Sequence, residues 1–308
     1  MKILSQFSDL AGCVATVGFF DGVHAGHRFL IEELKSIARS ENLQSAVFTF
    51  AVHPRKVLHS DYQPQLLTTF HEKNFQLGTT GIDACVILDF TEEMAQLSAY
   101  EFLQSILYKQ YSVRTLLVGH DHRFGHNRTE GFDDYKKYGE AIGMNVIQTN
   151  RFSTAQVGHI SSSEVRTALK NGDISRANEI LTYPYSFRGK VIGGYEMGRK
   201  IGFPTANIEP EDNEKLIPAM GVYAVKIVLN HCTYNGMMNI GQRPTMNNGT
   251  TMSIEVHIFD FDENIYNQTI EILFFEKIRD EQKFENVDDL IEQLTNDKLK
   301  IMEIFKIL

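Results

Sequence analysis

The 308-residue sequence has only three cysteines, Cys13, Cys85 and Cys232, and they stand far apart. An odd number of distant cysteines provides neither a disulfide framework nor the close spacing of a zinc site. Cys13 and Cys85 lie in apolar, strand-like runs, so we expect their thiols to be buried and inert. The cysteine pattern therefore argues against a disulfide-stabilised protein and against a zinc module.

Long apolar runs are also missing, because no stretch approaches the roughly 20 apolar residues that a membrane-spanning helix needs. Residues 10–13, Leu-Ala-Gly-Cys, resemble a bacterial lipoprotein processing site. The preceding Gln6, Ser8 and Asp9 nevertheless leave no apolar signal region in front of it. We therefore expect a cytoplasmic protein that has no membrane partner.

The chain has no excess of positive charge, since 39 acidic residues outnumber 30 basic ones and the formal net charge is −9. A basic surface is what holds nucleic acids in the absence of specific contacts. The sequence contains neither a basic stripe nor a helix-turn-helix pattern. We therefore expect no nucleic-acid partner, and the sequence leaves the oligomeric state open.

The length exceeds the roughly 100 to 200 residues of a usual single domain, so two domains are predicted. In the first half, helical patterns at 28–40, 97–110 and 131–143 alternate with strand-like runs at 13–17, 46–50, 84–88, 115–118 and 144–147. This alternation is typical of βαβ units and predicts an α/β fold with a doubly wound parallel sheet. Ligands of such sheets bind at the carboxyl ends of the strands.

The pattern changes after a further helical segment at 173–182. Short alternating runs at 187–192, 221–229, 237–240, 252–259 and 269–275 predict a small antiparallel β-barrel. A single long helix is predicted at 287–305. Because Tyr183-Pro184 looks like a junction, we predict domains at 1–183 and 184–308.

The most informative motif runs from the first strand into the first helix, at residues 16–27. Glycines in this segment let the backbone approach a phosphate closely, and the helix start offers unpaired N–H groups and a positive dipole end. His24 and His27, three residues apart, share one face of the helix start and can donate hydrogen bonds to a phosphate chain. Two histidines at this spacing can also be metal ligands or plain helix-surface residues.

Three more segments of the first half carry polar residues. The segment 49–55 follows the second strand, and the segment 119–128, rich in His and Arg, follows the fourth; both are also compatible with solvated loops. The third segment, 160–166, opens a helix in which Ser161 and Glu164 fit a capping box that could by itself explain the serines. Arg166, one turn into that helix, adds a positive charge beside the unpaired N–H groups and predicts a second phosphate clamp.

In the second half, residues 198–207 form a basic loop with glycines. Gly193 and Gly198 stand five apart as in a P-loop, but Arg199 and Lys200 are misplaced for a Walker motif. Thr205 and Asn207 alternate along an extended segment and offer hard oxygen ligands of the kind that Mg²⁺ prefers. The segment therefore predicts a site for Mg²⁺ and nucleotide phosphates.

These motifs resemble two known groups of enzymes. The H-x-G-H of residues 24–27 resembles the nucleotidylyltransferase superfamily. With G-x-F-D-G-V-H-x-G-H, T-F-x-x-H-P, D-x-R-F-G and I-S-S-S-x-x-R, the first half is similar to the prokaryotic bifunctional riboflavin kinase/FAD synthetases, although Val52 stands where that family usually has Pro and Ser163 where it has Thr. The second half repeats the family's kinase segments G-R-x-x-G-F-P-T-A-N, N-I-G-Q-R-P-T, E-V-H and R-D-E-x-x-F.

The resemblance implies two activities and a set of site residues. It implies that the second domain phosphorylates riboflavin with ATP and Mg²⁺ to FMN, and that the first transfers the adenylyl group of ATP to FMN, giving FAD and pyrophosphate. The implied catalytic residues are Glu255, as base, with His24, His27 and Arg166, and the implied metal ligands are Thr205 and Asn207. The residues expected to bind ATP are Gly18, Phe20, Asp21, Gly26, Ser162, Ser163, Gly193, Gly198 and Lys200, and those expected to bind the flavin are His53, Asp121, Phe124, Asn127, Arg279, Glu281 and Phe284.

Other interpretations of the same residues stay open. Taken without the resemblance, Glu255 fits a strand carboxylate that faces solvent better than it fits a catalytic base. One of the two domains could bind flavin without catalysis, or the whole chain could be a non-catalytic, flavin-responsive regulator. A regulator has no need of Glu255, His24 and His27, so their presence counts against it.

Overall fold

The structure is a computed structural model that describes residues 1–4, 12–58, 61, 63, 65–120, 122–126, 129–149, 160–194, 197–244 and 250–307. Its contacts divide the chain into two compact units, Met1–Ser161 and Ser162–Leu308. The two predicted site residues Asp121 and Asn127 lie outside the described residues. The domain boundary predicted between residues 183 and 184 marks the end of the first functional domain, which is a different criterion from contacts. It stays a prediction.

The first unit contains a six-stranded parallel sheet. Its strands are β1 (Lys2–Leu4), β2 (Cys13–Val17), β3 (Gln44–Phe50), β4 (Ala84–Leu88), β5 (Val113–Val118) and β6 (Asn145–Gln148). Their order across the sheet is β1-β4-β3-β2-β5-β6. From β2 the chain adds β3 and β4 on one side and β5 and β6 on the other, while β1 lies at the edge beside β4. This order confirms the doubly wound sheet and puts its switch point between β2 and β5.

Helices cover this sheet because their apolar faces need burial. They are α1 (Ala25–Glu41), α2 (Pro54–Leu58), α3 (Phe70–Thr79), α4 (Glu92–Gln96), α5 (Ala99–Glu101) with a π-helical continuation Phe102–Gln110, and α6 (Phe132–Ile142). Ile31, Leu34 and Ala38 of α1 are buried in one cluster with Val14 and Val47 of the sheet. The neighbouring strand residues Ala15 and Phe48 instead share a cluster with the π-helical Phe102 and Leu103, so alternate residues of each strand face opposite helical layers.

The second unit is a closed six-stranded barrel. It contains α7 (Ser162–Lys170), α8 (Ile174–Leu181), β7 (Ser186–Ile192), α9 (Met197–Lys200), β8 (Ala206–Pro210), β9 (Gly221–Leu229), β10 (Cys232–Pro244), β11 (Thr250–Ile258), β12 (Thr269–Arg279) and α10 (Val287–Ile307). The barrel order is β10-β11-β8-β7-β12-β9, and every pairing is antiparallel. The predicted barrel and terminal helix are confirmed, and β8 adds a sixth strand to the five runs recognised in the sequence.

The C-terminal helix closes one side of the barrel. Ile301 of α10 is fully buried against Val222, Ala224, Met237 and Phe259. No helix in the part of the chain that the structure describes is long and apolar enough to span a bilayer. Cys13 and Cys85 are buried free thiols, and burial raises their pKa values to about 12 and about 11.

Candidate active sites

The glycine turn after β2 has a fixed shape. The backbone N–H of Gly18 bonds to the carbonyl of Phe48 on β3 at 3.0 Å, and a Cβ added at Gly18 would lie 2.9 Å from the ring of Phe20. Phe20 itself has a positive φ of 55° and is buried. A side chain at position 18 would therefore have to push aside the Phe20 ring, which folds over Gly18.

The two histidines of the motif lie against each other at the start of α1. His24 is the N-cap residue, and its Nδ1 accepts a hydrogen bond from the His27 N–H at 3.4 Å. The two rings stack with centroids 3.7 Å apart, and the Phe20 ring lies 5.1 Å from His27. A Cβ at Gly26 would come within 3.3 Å of the His24 ring, so this glycine makes room for the stack.

The surroundings of His27 favour its neutral imidazole. Burial lowers the pKa of His27 well below its usual 6.5, and the charges of His24, His122 and Lys73 lower it further. Among the described residues, the buried Nδ1 of His27 has no hydrogen-bond partner. The site thus has an imidazole with an unused polar atom, which an arriving anion can engage.

Asp21 anchors the turn to the segment before α3. Its carboxylate accepts hydrogen bonds from the N–H groups of Leu67 and Thr68 at 3.0 Å and from the Thr68 hydroxyl at 3.2 Å. The same hydroxyl accepts from the N–H of Gly22 at 3.0 Å. These contacts give Asp21 a structural role in holding the turn, and its predicted contact with ATP stays a prediction.

A buried lysine beside this site was not foreseen. Lys73 of α3 is 1% exposed, and its Nζ donates to the carbonyl of Phe50 at 2.7 Å. Burial lowers the Lys73 pKa to about 8 although the charge of Asp21 acts in the opposite direction. The helical spacing of Lys73 with the buried Leu77 was the sequence signal that places this lysine on the inner face of α3.

Two predicted flavin residues of the first unit lie in different surroundings. His53, which follows β3, contacts the Phe19 ring edge-on at 4.6 Å. Phe124 stacks on Tyr135 of α6 at 4.1 Å, and the Tyr135 hydroxyl accepts a hydrogen bond from the Phe124 N–H at 3.0 Å. One face of the Phe124 ring is therefore covered by the protein, and the other predicted flavin residues of this loop fall outside the described part of the chain.

The predicted phosphate clamp lies at the start of α7. That helix begins at Ser162, and Ser161 immediately precedes it. Ser162 and Arg166 are half-buried and Ser163 is exposed. Since α7 belongs to the second unit, its joint action with the histidines of the first unit stays a prediction.

The barrel brings three polar residues into register. Glu255 of β11 pairs with Asn207 of β8 on one side and with Asn239 of β10 on the other. Directly paired residues point to the same face of a sheet, so all three side chains share one face. The Thr205 hydroxyl donates to Glu255 Oε2 at 3.1 Å. Asn239 is absent from the predicted set, although its segment was recognised, because only the strand register shows that it faces Glu255.

The glycines before this segment differ in how tightly they are packed. A Cβ at Gly194 would lie 2.0 Å from Nδ2 of Asn207, whereas a Cβ at Gly193 would meet nothing within 4 Å. At Gly198 a Cβ would lie 2.2 Å from the Phe203 carbonyl oxygen, which closes a tight turn. Gly194, which the sequence analysis did not single out, is thus the glycine on which the Asn207 carboxamide rests.

The loop that carries Thr205 is fastened to the barrel by a histidine. His257 Nδ1 lies 2.8 Å from the Pro204 carbonyl oxygen, and its ring contacts Phe203 at 5.3 Å. The His257 pKa lies below its usual 6.5, mainly because the ring is buried. Lys200, at the end of α9, is exposed and available to a ligand's phosphates.

The last predicted segment has a mixed role. Arg279 Nε pairs with Asp297 Oδ2 of α10 at 2.9 Å, with exposed side-chain fractions of 14% and 3%. The Arg279 guanidinium also lies 5.7 Å from the Phe284 ring centroid. A Cβ at Gly241 would lie 2.2 Å from Glu281 Oε1, so Glu281 covers the strand that bears Asn239. Arg279 therefore holds the segment to α10, while Glu281 lies beside the polar face of the barrel.

The residues that could hold a metal are oxygen donors. No group of three or more His, Cys, Asp or Glu residues suited to a metal occurs in the described ranges. Thr205 and Asn207 offer a hydroxyl and a carboxamide beside the Glu255 carboxylate. Hard oxygen ligands in this small number fit Mg²⁺, which keeps several waters and also binds substrate phosphates.

Comparison with known proteins identifies the family of each half of the chain. The FAD synthetase family model matches residues 6–164, and the riboflavin kinase family model matches residues 181–305. The bifunctional riboflavin kinase/FMN adenylyltransferase of Escherichia coli K12 is 37% identical over 99% of this chain and 98% of its own length. The Bacillus subtilis protein of the same name is 38% identical over 96% and 93%.

A solved structure has the same two-unit architecture. A crystal structure from Streptococcus pneumoniae, named a macrolide-efflux protein, aligns with a TM-score of 0.85 and 31% identity, covering 96% of each chain. The family models and the near full-length relatives decide the assignment. The chain belongs to the bifunctional riboflavin kinase/FMN adenylyltransferases, with an FAD synthetase domain followed by a riboflavin kinase domain.

Proposed function

We propose that the two activities of this family use separate residue sets in this chain, the barrel set around Glu255 for FMN formation and the set around His24 and His27 for FAD formation. The observation that carries the proposal is the hydrogen bond between Thr205 and Glu255, with Asn207 and Asn239 in register beside it. It supports a single reaction centre on one face of the barrel.

FMN formation requires activation of a neutral alcohol. The ribityl 5′-hydroxyl of riboflavin must lose its proton as it attacks the γ-phosphate of ATP, and a positioned base contributes roughly 10² to 10⁴ in rate. Glu255 accepts that proton, while the Thr205 hydroxyl orients its carboxylate. Glu281 and Phe284 cover the isoalloxazine ring, and Gly193, Gly198 and Lys200 surround the ATP phosphates.

Mg²⁺ is the cofactor that the donor set supports. Thr205 and Asn207 would hold it. Bound there, it supplies positive charge to the phosphates of ATP, as metals do in other kinases. The close packing of Asn207 on Gly194 keeps the carboxamide in place for this role.

FAD formation requires no base, because the attacking phosphate of FMN is already anionic at neutral pH. It needs in-line positioning and stabilisation of the charge on the α-phosphate and pyrophosphate of ATP. His24, His27 and the N–H groups at the start of α1 supply such donors, and Ser162, Ser163 and Arg166 at the start of α7 are the further proposed phosphate ligands. Gly18, Phe20, Asp21 and Gly26 shape the turn, and His53, Asp121, Phe124 and Asn127 bind the flavin.

The partners are small molecules, namely riboflavin, FMN and ATP, with FMN and FAD as products. We place the protein in the cytoplasm. The proposal is supported by the free thiols of Cys13, Cys85 and Cys232, since reduced cysteines are usual in that compartment.

One experiment tests both reactions. Purified protein is incubated with riboflavin, ATP and Mg²⁺, and FMN, FAD, ADP and pyrophosphate are resolved over time. We expect FMN with ADP first and FAD with pyrophosphate second. Flavin that stops at FMN would contradict the assignment around His24 and His27, whereas unchanged riboflavin alongside conversion of supplied FMN would contradict the assignment around Glu255.

A further inference from the structure

Lys73 lies where two of the predicted substrate segments meet. Its side chain is 1% exposed, and Nζ donates to the Phe50 carbonyl at 2.7 Å. Nζ also lies 4.0 Å from the centroid of the Phe19 ring. Phe50 is the last residue of β3 and Phe19 follows β2, so one ammonium group contacts the carboxyl ends of both strands.

These two contacts lead to both predicted ligands. Phe19 belongs to the glycine turn of the ATP motif, and its ring also contacts His53, edge-on at 4.6 Å. Phe50 stands three residues before His53 along the chain. Moving or removing the Lys73 ammonium would therefore disturb the phosphate-binding turn through its contact with Phe19. It would also disturb the flavin-binding segment through its hydrogen bond to Phe50.

The charges around Lys73 belong to the same site. The charges of Asp21 in the glycine turn and of the buried Cys85 on β4 raise the pKa of Lys73. The charges of His24 at the same helix start, of His122 after β5 and of Lys73 each lower the pKa of His27. Burial lowers the Lys73 pKa to about 8, so the ammonium still dominates at neutral pH and adds to the causes that keep His27 neutral.

If residue 73 served only to fill space in the core, an apolar side chain would be favoured there. Burying an ammonium costs free energy that a methionine of similar length does not incur. The position therefore fits a functional demand for charge better than a demand for packing.

We propose that Lys73 is a positioning residue for adenylyl transfer, which fixes the Phe19 turn and the end of β3 and holds a positive charge near His27. The inference rests on the proposed function of His27. Lys73 acts through these neighbours, and it differs from the clamp residues in being buried before any substrate arrives.

The test replaces the ammonium while keeping the volume. Lys73→Met removes charge and donor, and Lys73→Gln removes the charge but keeps an N–H donor. Lys136→Met on α6, where the lysine is exposed, is the matched control for the loss of one positive charge. FAD formation from supplied FMN is measured as KM for ATP and as kcat, and riboflavin phosphorylation by the second unit is the internal control.

We expect both Lys73 variants to lose FAD formation by about tenfold or more, with FMN formation within about twofold of the control. A role limited to packing would not change the ionisation of His27. We therefore also expect the His27 imidazole, followed by NMR in the full-length chain, to titrate at higher pH once the Lys73 charge, one of the causes that lower its pKa, is gone.

The outcomes separate this inference from the proposed function. Folded Lys73 variants with the kinetics and His27 titration of Lys136→Met would overturn the role of Lys73 while leaving that of His27 intact. An N-terminal unit that unfolds in both variants would assign Lys73 to stability alone and would also reject the inference. If His27→Ala retains full FAD formation, the proposed function of the site itself is wrong.

Discussion

The hydroxyl of Thr205 and the carboxylate of Glu255 are joined by a hydrogen bond of 3.1 Å. Asn207, two residues after Thr205, pairs with Glu255 across the β8–β11 register. The proposed base and the proposed metal ligands therefore belong to one hydrogen-bonded face of the barrel, in the second of two compact units. Substitutions at Glu255 and at the histidine pair His24 and His27 should each affect one reaction and spare the other.

Replacing the proposed base isolates the kinase reaction. Glu255→Gln keeps the shape and the contact with Thr205 but removes the proton acceptor. We expect FMN formation to fall by roughly 10² to 10⁴ and conversion of supplied FMN to FAD to stay near the wild-type rate. If both reactions fell together, the assignment of separate sites would be wrong.

The reciprocal substitution is His27→Ala. Loss of one positioned donor to a developing phosphate charge costs about 10² to 10³ in rate in comparable sites. We expect that loss in FAD formation, measured as pyrophosphate release with supplied FMN, together with normal phosphorylation of riboflavin. An unchanged FAD rate would remove His27 from the reaction.

Two adjacent glycines provide a matched pair for the barrel site. In Gly194→Ala the new methyl group would lie 2.0 Å from Nδ2 of Asn207, whereas in Gly193→Ala it meets nothing within 4 Å. We expect Gly194→Ala to displace Asn207 and lower kcat/KM for FMN formation by about tenfold or more, since misplaced positioning groups are costly. Gly193→Ala, whose methyl group does not reach Asn207, should lower it less than Gly194→Ala does, and equal effects in the two variants would contradict the role of Asn207.

The pKa of His27 predicts how stability depends on pH. Because burial lowers the His27 pKa below its usual 6.5, the unfolded chain binds this proton at a higher pH than the folded chain does. The contribution of His27 to stability is therefore present above pH 6.5 and is lost as the pH falls below it. Thermal unfolding at several pH values should show a shallower acid loss for His27→Gln than for wild type, and identical slopes would reject the assignment.

The buried pair of Arg279 and Asp297 predicts a stability effect in the barrel. In Asp297→Ala the Arg279 side chain, which is 14% exposed, stays buried but loses the carboxylate partner that balances its charge. We expect the free energy of unfolding in urea to fall by about 3–5 kcal/mol. Asp280, whose side chain is 86% exposed in its pair with Lys277, is the control, and Asp280→Ala should have only a small effect. Equal losses in the two variants would show that burial of the Arg279 pair is unimportant.

Most of the fold could be predicted from local pattern. Apolar periodicities of two and of about 3.6 residues distinguish strands from helices in both halves, and the change from βαβ alternation to short strands separates a parallel sheet from a barrel. Residues near in sequence, such as His24 and His27, could likewise be assigned to one helix start. Their spacing alone puts them together.

Other features depend on long-range packing. That Lys73 contacts Phe19 and Phe50 follows from how α3 docks on the ends of β2 and β3, and no local pattern encodes that docking. Glycine is required at position 194 and not at position 193 because of where the Asn207 carboxamide lies. A glycine is needed only where another atom approaches its Cα.

The sequence by itself determined the kinds of element, their order and the chemistry of each motif, since side-chain type and local spacing suffice for these. The tertiary structure decided which motif residues meet. Strand register set Asn239 beside Glu255, and burial gave Lys73 and His27 their shifted pKa values. Desolvation and contact distance are properties of the packed chain, and no stretch of sequence has them before it folds.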